Sequence, residues 1–420
     1  FTAIADIHSG ITREESVLLF STFAIGVAAY LALSRMALPW LLILGAGIVA
    51  RLVLFGNLPT LSDDFYRFIW DGRLLLAGIS SFAELPAWYM QEGNSTLQVD
   101  ASLFELLNSP NYYTVYPPIS QFTFWLSAAL SSSIAGSAFV IRLIIFGSEV
   151  ANFFLIRSLL ISYQKPASLA ALYFLNPLVI LELTGNLHFE GIMLSFVLLA
   201  VLFHRRKKDI PVGLALAGGV ATKLVPLALA PLFIASDPPR RWLIIGLSCM
   251  AGFIVLFTPI VDSNLIDGLQ NSLSLFIQKF EFNASIYYLA REVGFWVKGY
   301  NIIETLGPAL TKITVALILA YAFLSRKNNN LAERMMWVWM IYLALALIVH
   351  PWYCIPMVGL CLFTKYRFPI YWSGLIFLSY LGYDATGYTP PFFWIIAEYV
   401  GLYFLMTWEI KEVQTNVKVV

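Results

Sequence analysis

The feature that most limits how this chain can fold is the repetition of long apolar runs. They occupy roughly 17–34, 38–56, 118–134, 138–161, 167–184, 190–204, 210–235, 242–260, 302–324, 335–363, 369–382 and 391–408. One helical crossing of a bilayer takes about 20 predominantly apolar residues. Charged side chains make up 12% of the 420 residues, against about 25% in a typical soluble domain. The expectation is an all-α polytopic membrane protein, a single bundle over 1–420 of about 12 transmembrane helices or half-helices. A cytosolic enzyme, a secreted disulfide scaffold and a disordered chain are excluded. Cys249, Cys354 and Cys361 all lie in apolar runs, so neither a disulfide framework nor a metal spacing is implied. The formal net charge of +1 carries no information about partners, and no nucleic-acid partner is expected.

Several runs are short or interrupted, at Pro177, Pro226, Pro351 and Pro356. Broken helices at membrane depth are tolerated where they line protein or a wet cavity, so half-helices around an internal site are expected. Two long loops, 57–117 and 261–300, are rich in aromatics and read as folded caps. Basic clusters fall at Arg205-Arg206-Lys207-Lys208, Arg240-Arg241, Arg326-Lys327, Lys365 with Arg367, and Lys411, and they mark the cytoplasmic face. The 57–117 loop carries Asp63, Asp64, Asp71, Glu84, Glu92, Asp100 and Glu105 against Arg67 and Arg73, and belongs outside. Parity then requires short hairpins within 210–235, with a tip near Lys223, and within 335–363, turning at His350-Pro351-Trp352-Tyr353. A third hairpin is expected at 167–184 around Asn176-Pro177. Parity also places residues 1–16 outside, as an additional helix upstream of Phe1 would require.

The strongest local signal is Ser62-Asp63-Asp64-Phe65-Tyr66-Arg67-Phe68-Ile69-Trp70-Asp71-Gly72-Arg73, directly after a transmembrane run. On a helix Asp63, Arg67 and Trp70 share a face, with Asp64 and Asp71 on the adjoining one. This is either an interfacial helix with ordinary ion pairs or a catalytic segment. Adjacent carboxylates beside a cavity raise one pKa, which suits a general base. Asn111-Tyr112-Tyr113-Thr114-Val115-Tyr116-Pro117-Pro118 is a rigid helix entry or an aromatic rim for a sugar. Glu182, Asn186, His188 and Glu190 cluster at a helix junction, where ionisable groups at membrane depth read as functional. Lys223 between apolar stretches snorkels or holds a lipid phosphate. Glu281-Phe282-Asn283-Ala284-Ser285 and His350-Pro351-Trp352-Tyr353 complete six sites that all fall on the outer side of the parity scheme. No phosphate loop, dinucleotide fingerprint, nucleophile elbow or zinc-protease motif occurs, so no nucleotide site is expected.

With these residues in order over about 50–360, the chain resembles the GT-C superfamily of integral-membrane glycosyltransferases, and within it the bacterial polyprenyl-phosphate mannosyltransferase-like proteins. It departs from them at Ile79-Ser80-Ser81-Phe82, where relatives often carry Asn-Pro-Tyr. The resemblance implies a polyprenyl-phosphate sugar donor, a glycan or glycolipid acceptor, transfer on the outer face of the cytoplasmic (inner) membrane, and inversion at the anomeric carbon. It implies Asp63 or Asp64 as general base, with Asp63 favoured as the first acid of the pair. Arg67, Lys223 and His350 are the implied phosphate ligands. Trp70, Asp71, Arg73, Tyr113, Tyr116, Glu182, Asn186, His188, Glu190, Asn283 and Tyr353 are the implied substrate contacts. No metal or cofactor is expected. The competing reading is a transporter or lipid-glycan flippase, which would also carry broken helices and buried charges.

Overall fold

The computed structural model describes residues 2–36, 38–91 and 100–418, so Glu92 of the acidic loop lies outside the described residues. Helices dominate, and the described strands form one small hairpin, Tyr383–Asp384 against Gly387–Tyr388. Among the described residues, five helices are long and apolar enough to cross a bilayer: Ser16–Ser34, Ile134–Ser162, Pro239–Ile260, Ile303–Leu324 and Phe392–Thr415. Shorter apolar helices fill out the bundle, at Trp40–Gly56, Asp209–Thr222, Val225–Ser236, Pro351–Cys361 and Phe368–Gly382. Their outer faces present exposed Leu, Ile, Val and Phe side chains, among them Leu247, Val255, Leu324 and Phe404. Such a belt needs hydrocarbon around it, and an integral membrane protein supplies that need.

The breaks follow from local chemistry. Asn176 accepts from the backbone N–H groups of Leu178 (3.0 Å) and Val179 (3.4 Å), and Pro177 occupies the first helical position, where its missing N–H is harmless. Chain direction therefore changes by 55° between Ala167–Phe174 and Pro177–Gly185. A break of this size belongs to a broken span or to a re-entrant loop such as the hairpin expected for 167–184. That half widens into a π-type turn over Ile180–Gly185 and stops at Leu187, whose φ is +66°. The helix Asp209–Thr222 ends at Lys223, which is extended (φ −147°, ψ 146°), before the helical turn Val225–Leu229. Leu331–Leu345 and Pro351–Cys354 are likewise separated by extended backbone, at Ala346 and His350.

The basic clusters gather at one end of the bundle through mutual contacts. Arg205 donates to Ser162 Oγ (3.0 Å) and covers the Tyr163 ring at 3.8 Å. Lys165 reaches the carbonyl of Leu362 (3.2 Å), Arg367 that of Cys361 (2.8 Å), and Arg241 pairs with Asp209 and Asp237 (both 2.8 Å). The two long loops pack on each other at the opposite end. Ser272 Oγ donates to Thr114 O (3.1 Å), Tyr112 meets Phe280 edge-on at 5.8 Å, and Phe282 pairs through its backbone with Leu347 and Val349. Residues 2–16 join the same end, since Arg13 contacts Asp63.

Candidate active site

The Asp64–Leu76 helix carries the acid pair into this end. Gly72 lets it lie directly on the Pro118–Leu130 helix: a Cβ there would sit 2.2 Å from Phe124 O. Phe68 stacks on Phe124 at 4.7 Å and meets Tyr116 edge-on at 4.9 Å, so an aromatic layer fixes the rotation of the helix. Ser62 Oγ accepts the N–H of Asp64 (3.3 Å), and the Asp63 side chain makes no capping bond. Asp63 is thus released from helix duties. Its carboxylate pairs instead with Arg13 and remains 35% exposed. Asp64, one residue on, accepts from Asn108 Nδ2 at 2.8 Å. Burial pushes the Asp64 carboxyl above its ordinary value; Asn108 and the charges of Lys223 and Arg13 oppose the shift, and Asp63 adds to it.

Beneath the acids lies the turn that follows the π-type segment. Glu182 accepts from Tyr380 Oη (2.8 Å) and Asn186 Nδ2 (3.1 Å), with His188 Nε2 at 3.6 Å. Asn186 Oδ1 accepts the N–H of Leu61 at 3.4 Å, which ties this turn to the residues just before the acid pair. Glu190 takes an ion pair from Lys223, whose ammonium also faces the Tyr353 ring at 5.3 Å. His188, Trp352 and His350 form one ring stack, at 3.5 and 4.4 Å. Glu190 Oε2 and His188 Nε2 are buried and have no hydrogen-bond partner among the described residues, so the cluster offers an acceptor and a ring nitrogen to a ligand.

Asp63, Asp64, Tyr116, Glu182, Asn186, His188, Glu190, Lys223, His350 and Tyr353 therefore surround one region. Other sequence candidates do not join it. Arg67, expected on a phosphate, is 5% exposed; it gives Nε to Asp71 (2.8 Å) and Nη1 to the carbonyls of Ser109 (3.2 Å) and Tyr112 (2.7 Å). It staples the loop to the helix. Asp71 is fully buried under that pair and takes a second contact from Gln121 at 3.4 Å. Trp70 packs on Tyr89 and Phe104, and Arg73 pairs with Asp100 and reaches Ser132 O (2.8 Å), both away from the acids. Tyr113 lines a separate cleft. Asn283 is buried against Glu398 (3.0 Å) and holds the last helix in place. Sequence reasoning passed over Arg13, Asn108, Tyr380 and Tyr383, the last lying 5.1 Å from the Arg13 guanidinium. Only the turn-forming Asp384-Ala385-Thr386-Gly387 beside Tyr383 could have flagged that corner.

The site is thus a set of carboxylates and a lysine gathered at one end of a helical membrane bundle. Residues 8–236, 229 of the 420, match the family model described as alpha-(1->6)-mannopyranosyltransferase, N-terminal domain, and the chain belongs to that mannosyltransferase family. The match takes in the acid pair, the Glu182–Glu190 turn and Lys223; it ends before Asn283 and His350. Membership in a family of transferases decides against the transporter reading. No curated protein matches the chain.

Proposed function

We propose that this protein transfers mannose from a polyprenyl-phosphate donor to a glycan or glycolipid acceptor at the extracytoplasmic face of the cytoplasmic membrane. The observation that carries the reading is the gathering, at one end of the bundle, of an accessible carboxylate, Asp63, and a lysine on a helix break, Lys223. The α-(1→6) linkage in the family's description points to the same linkage here, and inversion then calls for a β-configured donor.

Asp63 is the base. Its carboxylate is 35% exposed, open to an acceptor hydroxyl, and Arg13 holds it in place. The acceptor hydroxyl gives its proton to Asp63 as its oxygen bonds to the anomeric carbon. The bond from that carbon to the phosphate oxygen breaks, and the electron pair leaves with polyprenyl phosphate. Lys223 stabilises the departing phosphate, with His350 beside it. Asp64 orients the base, and Glu182, Asn186, His188 and Glu190 hold the sugar. In nanodiscs, the purified chain should transfer radiolabelled mannose from polyprenyl-phosphate mannose to a mannose oligosaccharide. It should not transfer mannose from a nucleotide sugar. Transfer from the nucleotide sugar alone would overturn the reading.

A further inference from the structure

The two outer loops enclose a cleft of about 390 Å³, within the roughly 300–1,000 Å³ usual for ligand sites. Its walls carry Glu84, Tyr113, Asn264, Asp267, Gln270 and Asn271. Asp267, Gln270 and Asn271 stand three and four residues apart on the Leu265–Gln278 helix, so they share one face. The cleft has a built floor. A Cβ at Gly268 would come within 3.2 Å of Phe82, so glycine is what lets the helix of the second loop rest on the first.

The cleft and the acid pair share a wall. On either side of Tyr113, the carbonyl of Tyr112 accepts from Arg67 and that of Thr114 accepts from Ser272. Asn108, earlier in the same segment, bonds Asp64. The donor's polyprenyl tail needs apolar surroundings, and this cleft is polar and lies in the cap. Carboxylates and side-chain amides that converge on an aromatic edge suit sugar hydroxyls. Two carboxylates, with no Lys or Arg among the lining residues, disfavour an anionic sugar.

We infer that this cleft is the acceptor subsite and holds the neutral, mannose-containing end of the acceptor glycan, an assignment that deepens the transferase reading above. The test uses the full chain in nanodiscs, titrated with mannotriose by calorimetry. Donor transfer is measured in parallel. Asp267→Asn and Asn271→Ala change exposed side chains, and their thermal unfolding should match wild type. Each should weaken mannotriose binding and raise acceptor KM about tenfold, the weight of one hydrogen bond, while donor KM stays unchanged. Wild type that fails to bind mannotriose, or variants that bind it as wild type does, would overturn the subsite. Saturable binding lost in the variants, with no transfer in any form, would support the subsite while the proposed function falls.

Discussion

Two buried glutamates each pair with a cation in this bundle, and their surroundings differ. Glu149 bonds Arg51 through one oxygen (3.0 Å) and Asn152 and Tyr173 through the other (both 2.9 Å), so its carboxylate is closed; the ion pair is wholly excluded from solvent, and on the cation side Arg51 Nε has no partner among the described residues. Glu190 bonds Lys223 through one oxygen, its other oxygen has no partner among the described residues, and Lys223 is 18% exposed. Charge within a membrane is retained either because it closes a network or because it serves a ligand. The contrast gives a working rule: removing a closed pair should cost stability, and removing an open group should cost rate or binding.

The largest expected effect is at the open end. Asp63→Asn keeps the shape and deletes the basicity, so turnover should fall about 10²–10⁴-fold with donor affinity nearly unchanged and unfolding temperature intact. Near-full transfer in this variant would sink the base assignment. Next comes the closed pair. Arg51→Met strands Glu149 without its cation and should destabilise the fold by about 3–5 kcal/mol, seen as thermal unfolding in detergent. Adding Glu149→Gln should restore much of that loss; if the single variant were stable but slow, the rule would be broken.

Lys223→Met should leave the fold intact and weaken donor binding about 10–100-fold, the weight of a hydrogen bond to a charged group. Unchanged donor affinity would reduce Lys223 to a snorkelling side chain. The smallest effect is a pH shift. Burial raises the Asp64 carboxyl, so in wild type the acid limb of activity should lie above the usual carboxylate range. As pH falls through it, Asp64 gains a proton and loses the charge with which it orients the base. Asp64→Asn removes that titration, and the acid limb should move to lower pH, on a reduced plateau. A limb that stays in place would show that Asp64 does not govern it.

The sequence revealed elements whose signals are local. The acid pair, the breaks at Asn176, Lys223 and His350, and the clustering of basic residues at one end all come from short patterns of proline, charge and hydropathy. Arg67, expected on a phosphate, holds the internal partner that its i,i+4 spacing to Asp71 already offered. Asn283, expected on the substrate, bonds Glu398, a partner 115 residues away that no local pattern signals. Arg13 and Asn108 were missed because lone polar residues in polar loops carry no periodicity. Each matters only through a contact 50 or 44 residues distant in the chain. At 167–184 Asn-Pro marks a new helix start without giving its direction, so the sequence signals the break and not the 55° angle.

One short stretch, Asn186 to Glu190, holds both halves of the site: Asn186 fixes Leu61 above it, and Glu190 fixes Lys223. Acid and cation therefore share a single reference point, independent of the long helices around them. Bilayers differ in thickness, and helices tilt to accommodate them at fractions of a kcal/mol per ångström. Tilt of the outer helices would move the scaffold but leave the gap between Asp63 and Lys223 nearly constant, so catalysis should tolerate a change of lipid chain length.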